Sequence, residues 1–123
     1  MLYYETAEGK CPIQNFIDSR REREQAKIFS WVSLLEQHGP TLPRPYADLL
    51  TEGIHELRIT LSGEHLRILY FFCFKDIIVL THAFIKHTSE VPHSEIKKAK
   101  AYRDDFLSRY DEKKLKEAIN EKF

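Results

Sequence analysis

Residues 55–72, HELRITLSGEHLRILYFF, constrain the fold more than any other stretch. Leu57, Ile59 and Leu61 alternate before Ser62-Gly63, and Leu66, Ile68, Tyr70 and Phe72 alternate after it. A period of two on either side of a two-residue polar loop predicts a β-hairpin. In that register Leu61 faces Glu64 and Arg58 faces Arg67. Like charges directly opposite each other destabilise a strand pair. The facing arginines therefore call for an anion.

The rest of the chain alternates between helical and strand periods. MLYYET reads as a short first strand. Ile13, Phe16 and Ile17 recur at helical spacing, as do Ile28, Phe29, Val32 and Leu35, widened by Trp31 and Leu34. The charged segment DSRREREQ between them divides two helices, with Asp18 or Ser19 as a cap, and its RRERE run reads as a solvated helix surface. Gly39-Pro40 ends the second helix. The proline-rich PTLPRPYADLLTEG is expected to be a loop packed through Tyr46, Leu49 and Leu50. DIIVLTHAFIK alternates as a third hairpin-linked strand after a turn at Lys75-Asp76. Simple alternation points Ile77, Val79, Thr81 and Ala83 one way, and Ile78, Leu80, His82, Phe84 and Lys86 the other. Pro92 opens a helix marked by Ile96, Ala99, Phe106, Leu107 and Tyr110, and the tail at 111–123 forms a short helix docking Leu115 and Ile119.

The order β-α-α-β-β-β-α with a helical tail predicts an α+β fold. It has two layers, an antiparallel-rich sheet with helices packed on one face and the other face at least partly open. The length, 123 residues, suits one domain over 1–123. MLYYETAEGK lacks the basic start and apolar run of a signal peptide, and no run of about 18 apolar residues exists to span a membrane. A cytoplasmic location is expected.

With 19 basic and 19 acidic residues, net charge gives no global argument for nucleic-acid binding. The charge is unevenly spread, however. From Ile54 to Arg103 there are eight Lys or Arg against five Asp or Glu, and five of the six histidines. Cys11 and Cys73 are the only cysteines and form no CxxC or Cys/His metal spacing. Cys73, within YFFCF, reads as a buried thiol. No acidic cluster suits magnesium, so neither metal nor other cofactor is expected.

If the helices cover the side of Leu57, Ile59, Leu66 and Ile68, then Arg58, Arg67 and Glu56 point to the open face. Lys86 ends the third strand of the meander, His87 follows it, and His82 shares the side of Lys86. Arginine presents a planar fork of donors that matches phosphate oxygens. Two arginines and a lysine would stabilise the charge that builds on a phosphorane. His87 or His82 would shuttle protons near neutral pH, and Glu56 would orient an arginine or act as base. Such a set suits metal-free RNA cleavage by 2′-hydroxyl attack. The same residues also have plainer readings. Charged residues on a strand often form a solvated face, His82 suits a hydrogen-bonded structural ring, and Lys97, Lys98 and Lys100 suit a wet helix surface. Removing either of two repelling cations is expected to leave folding intact.

These motifs resemble the phage-derived Gp49-like, or HigB-like, branch of the RelE/ParE toxin superfamily. The matching positions are Gly53-Glu56-Leu57-Arg58, Leu66-Arg67-Ile68-Tyr70, His82-Phe84-Lys86-His87-Thr88 and Pro92-Glu95-Ile96, within a resemblance running over roughly residues 1–105. The resemblance implies a RelE-like fold and the toxin of a type II toxin–antitoxin system. It implies a metal-independent endoribonuclease that cuts mRNA on the ribosome, and a cognate antitoxin of helix-turn-helix, HigA-like type. Carried over by position, Arg58, Arg67 and Lys86 are the catalytic cations. The family's usual Lys-Lys is Lys86-His87 here, which makes His87 a candidate general acid. Many relatives are basic, whereas this chain is neutral, so contact with RNA or ribosome would fall on Lys97, Lys98, Lys100 and Arg103. Two other functions stay open on the same scaffold: occupancy-based inhibition of a target such as gyrase, and a degenerate domain that only binds its antitoxin.

Overall fold

The computed structural model describes residues 1–122. Its elements are β1 (Leu2–Tyr3), α1 (Pro12–Asp18), α2 (Glu22–His38), β2 (Ala47–Thr51), β3 (Ile54–Leu61), β4 (Glu64–Cys73), β5 (Ile77–Lys86), α3 (His93–Arg109) and α4 (Glu112–Lys122). The strands form one mixed sheet in the order β1-β5-β4-β3-β2. β1 runs parallel to β5, and the other pairs are antiparallel. The α+β class expected from the sequence is the class observed. The final position of the expected tail helix, Phe123, lies outside the described residues.

The central hairpin has the expected register, with Leu61 opposite Glu64 and Arg58 opposite Arg67. Ser62 and Gly63 both take positive φ, 51° and 82°. Paired left-handed residues are what a tight hairpin loop demands, because that twist matches the strands it joins. The turn is also held from outside. Glu24 of α2, 6% exposed, accepts hydrogen bonds from Ser62 Oγ at 2.9 Å and Arg20 Nη2 at 3.1 Å. Arg20 Nη2 also donates to Glu64 at 2.8 Å. The RRERE run expected to be wholly solvated thus supplies a buried carboxylate that ties the α1–α2 joint to the hairpin loop.

Three expectations are corrected by tertiary packing. First, helices cover both faces of the sheet. Ile13, Ile17, Ile28, Val32 and Leu35 of α1 and α2 pack on Leu57, Ile59, Leu66, Ile68 and Tyr70. Ala99 and Phe106 of α3 and Leu115 of α4 pack on Ile54, Leu69, Phe71 and Val79 on the opposite face. The unbroken apolar run Leu69-Tyr70-Phe71 feeds both layers, as a strand covered on two sides must.

Second, the proline-rich segment ends in a strand. Pro43 and Pro45 lie upstream of Ala47, so their missing donors do not interrupt β2, which pairs with β3 from Ala47 opposite Leu57. As an edge strand it leaves Leu49 exposed where packing was expected, while Tyr46 lies against Trp31 with ring centroids 5.4 Å apart and Leu50 packs on the second core, as expected.

Third, β5 carries a bulge. Leu69 faces His82 while the adjacent Tyr70 faces Leu80, so Thr81 has no counterpart on β4. One extra residue inverts the alternation beyond it. Ile77 and Val79 therefore share a face with His82, Phe84 and Lys86, and Ile78 and Leu80 share the other with Ala83 and Ile85. Strict alternation would have left His82 and Lys86 on the side of the α1–α2 core. The bulge instead turns them to the face of Arg58 and Arg67.

Candidate functional site

The register arranges this second face in rows that cross the strands. Asp48, Glu56, Leu69 and His82 form one row. Arg58, Arg67 and Phe84 form the next, and Thr60, His65 and Lys86 the one beyond. Burial falls along this direction. Leu69 is fully buried, Arg67 is 8% exposed, and His65 and Thr60 are exposed. The buried end is the one covered by α3, whose Glu95 approaches His82. The open end lies towards the hairpin loop.

Within the arginine row the anion called for by the sequence is internal. Arg58 Nε donates to Glu56 Oε1 at 2.7 Å. Glu56 Oε2 lies 3.5 Å from Arg67 Nε, and neither atom makes a hydrogen bond. Arg58 also reaches Asp48 Oδ2 at 3.4 Å, which Arg44 approaches at 2.8 Å from the outside. Burial pulls the Arg67 pKa below its usual value, with Glu56 opposing and Arg58 reinforcing the shift. The group still remains a cation at physiological pH. Glu56, only 2% exposed, therefore compensates the like-charge pair from inside the fold. This overturns the expectation that either arginine can be lost without effect on folding, because each loss removes a partner from a buried carboxylate.

His82 sits deep in the neighbouring row, 4% exposed. Its Nδ1 is 3.1 Å from Thr81 Oγ1, which donates to the Leu69 carbonyl at 3.0 Å across the bulge. Its Nε2 faces Glu95 Oε2 at 3.4 Å. Burial pushes its pKa down to about 4, against the opposing pull of Glu95 and with the help of Lys98. The ring is neutral near pH 7, which takes it out of the near-neutral shuttle role expected for it.

Lys86 lies on the cationic face opposite His65, and its Nζ donates to the Ser89 carbonyl at 3.3 Å. His87 is exposed just past the last residue of β5. The α3 cations divide. Lys100 pairs with Glu52 at 2.9 Å, and Arg103 donates to the Glu52 carbonyl, so these two clamp the β2–β3 turn. Lys98 pairs with Glu95 at 3.5 Å. Lys97 is exposed and lines a groove with Leu50, Thr51, Val91 and Ile96.

The structure thus brings Arg58, Arg67, Glu56, His82 and Lys86 onto one face and leaves Lys100 and Arg103 engaged elsewhere. It also adds Asp48 and His65, which the sequence alone did not single out, and Glu95, which the sequence marks only as a position of the Pro92-Glu95-Ile96 motif. His65 shares the parity of Arg67, a signal present in the strand pattern itself. Cys11 and Cys73 are free and half-buried, and burial raises the Cys73 thiol to about 11. Among the described residues, no group of three or more His, Cys, Asp or Glu side chains is placed to hold a metal ion.

A five-stranded mixed sheet with helices packed on it is consistent with a RelE-like α+β fold. Residues 15–104 match the family model described as phage-derived protein Gp49-like (DUF891). That span is most of the chain, and the chain belongs to this family, a toxin-like group within the RelE/HigB-like toxin superfamily. No curated protein matches it. A toxin of this kind implies a cognate antitoxin. No helix among the described residues is long and apolar enough to cross a membrane.

Proposed function

We propose that the chain is the toxin of a type II toxin–antitoxin system and acts in the cytoplasm as a metal-independent, ribosome-dependent endoribonuclease on mRNA. One observation carries this reading: the bulge at Thr81 turns Lys86 to the same face as the facing pair Arg58 and Arg67. With Arg44 these cations outnumber Glu56 and Asp48, so the face keeps a positive excess for a phosphodiester. Arg58 and Lys86 hold the non-bridging oxygens as charge builds during 2′-hydroxyl attack, and Arg67, fixed by Glu56, sets the field from below. Exposed Lys97 and Lys98 extend the contact with RNA or ribosome, while Lys100 and Arg103 hold the β2–β3 turn. A helix-turn-helix antitoxin neutralises the toxin.

The test is primer-extension mapping of mRNA after brief expression, and in a purified translation system with and without ribosomes. Wild type should cut at discrete sites only with ribosomes present. Arg58→Ala and Lys86→Ala should each slow cutting by about 10²–10³-fold, with circular dichroism confirming that the variants fold. Growth arrest without RNA cleavage would overturn the reading in favour of inhibition of another target.

A further inference from the structure

The arginine row is flanked on one side by the buried pair Glu56 and His82, and on the other by Thr60, His65 and Lys86. His65 is two residues along β4 from Arg67, a separation of about 6.6 Å at the usual strand rise. It is exposed, and its backbone pairs with Thr60 and Lys86, which leaves the ring on the open end of this face. The charged groups around it on this face are Lys86 from β5, Arg58 from β3 and Arg67 from its own strand, with Thr60 directly opposite. Imidazole is the side chain that exchanges a proton most readily near neutral pH.

We propose that His65 is the general acid of the cleavage, delivering a proton to the leaving 5′-oxygen. This rests on the endoribonuclease reading above and assigns within it a group that it leaves open. A phosphodiester seated over Arg58 and Lys86 spans the arginine row towards the His65 row. The 2′-oxygen gives its proton to water and forms a bond to phosphorus. The P–O5′ bond breaks, and O5′ takes the Nε2 proton of the His65 imidazolium, which solvent then restores. The products are a 2′,3′-cyclic phosphate and a 5′-hydroxyl. Geometry separates His65 from the other two rings. His82 is enclosed by Thr81 and Glu95 and is held neutral by burial, with its pKa near 4. His87 lies beyond the paired part of β5, where no register directs it at the arginine row.

The decisive comparison uses ribosomes programmed with one of two mRNAs. One carries the native linkage at the cut site, and the other a 5′-phosphorothiolate, whose sulfur leaves without a proton. His65→Gln should cut the native linkage about 100-fold more slowly than wild type. It should cut the thio linkage at close to the wild-type rate. Equal deficits on both linkages, or no deficit on the native one, would overturn the role of His65 while leaving the endoribonuclease intact. Failure of wild type to cut either RNA would overturn the endoribonuclease reading, and this assignment with it.

Discussion

Glu56 and Arg67 face each other at 3.5 Å with less than a tenth of either residue exposed. Their contact explains how β3 and β4 tolerate two arginines in direct register. A buried carboxylate and a buried guanidinium each lose hydration on folding, and each is acceptable only because the other is present. Glu56→Ala should therefore destabilise the chain by about 3–5 kcal/mol, the usual cost of removing one partner of a buried pair. The double variant Glu56→Leu with Arg67→Met should regain a large part of that loss in urea unfolding. If the double variant is as unstable as the sum of the two single ones, the residues are uncoupled and this account fails.

The depressed pKa of His82 gives stability a pH dependence of known sign. In the unfolded chain the ring titrates near 6.5, and in the folded chain near 4. Between these values the unfolded state binds a proton that the folded state does not. Stability is therefore complete above pH 6.5 and falls as pH is lowered through the window. The full effect is on the order of 3 kcal/mol for a shift of this size. Urea unfolding of wild type and His82→Phe at several values from pH 4 to 7 would isolate it. The difference between the two slopes should be positive for wild type across the window and vanish above it. Parallel curves would show that the ring keeps its ordinary pKa.

Gly53 occupies the β2–β3 turn at φ +81°, and a Cβ there would come within 3.3 Å of Arg103 Nη1. Side chains are disfavoured in that backbone region, and here the added carbon also presses on the clamp from α3. Gly53→Ala should cost about 1–2 kcal/mol from the backbone alone. Thermal unfolding would register it, and an unchanged melting temperature would show that the turn relaxes freely.

Thr81, the residue inserted into β5, is fully buried and donates to the Leu69 carbonyl. Thr81→Val keeps the shape and removes the donor, leaving a buried carbonyl and the His82 Nδ1 without their partner. A loss of about 1–3 kcal/mol follows from such an orphaned group. Hydrogen exchange at the β4–β5 ladder near Leu69 should quicken along with it. A neutral substitution would mean that the bulge does not depend on this hydroxyl.

Much of the site was legible because it is built from local pattern. The Arg58–Arg67 register follows from alternation on both sides of Ser62-Gly63, and so did the demand for an anion. The identity of that anion was not legible. The pattern leaves Glu56 several roles, because its burial comes from tertiary packing that the hairpin alone does not show. His65 carries the parity of Arg67, but nothing in the hairpin pattern sets it apart from the histidines at the end of β5. His82 carried no mark of its depressed pKa, because desolvation comes from the packing around it. Lys100 and Arg103 looked like a free basic surface, and the β2–β3 turn that engages them lies some fifty residues away in sequence.

By itself the sequence determined the hairpin, the helix pair, the terminal helices and the α+β class, since period and turn chemistry act between near neighbours. Tertiary structure alone decided that helices cover both faces, that β2 joins the sheet edge, and that Thr81 is skipped in pairing. The last of these set the composition of the candidate site. Pairing is a contest between whole strands, and one unpaired residue exchanges the faces of every side chain beyond it, an outcome that no local pattern in β5 records.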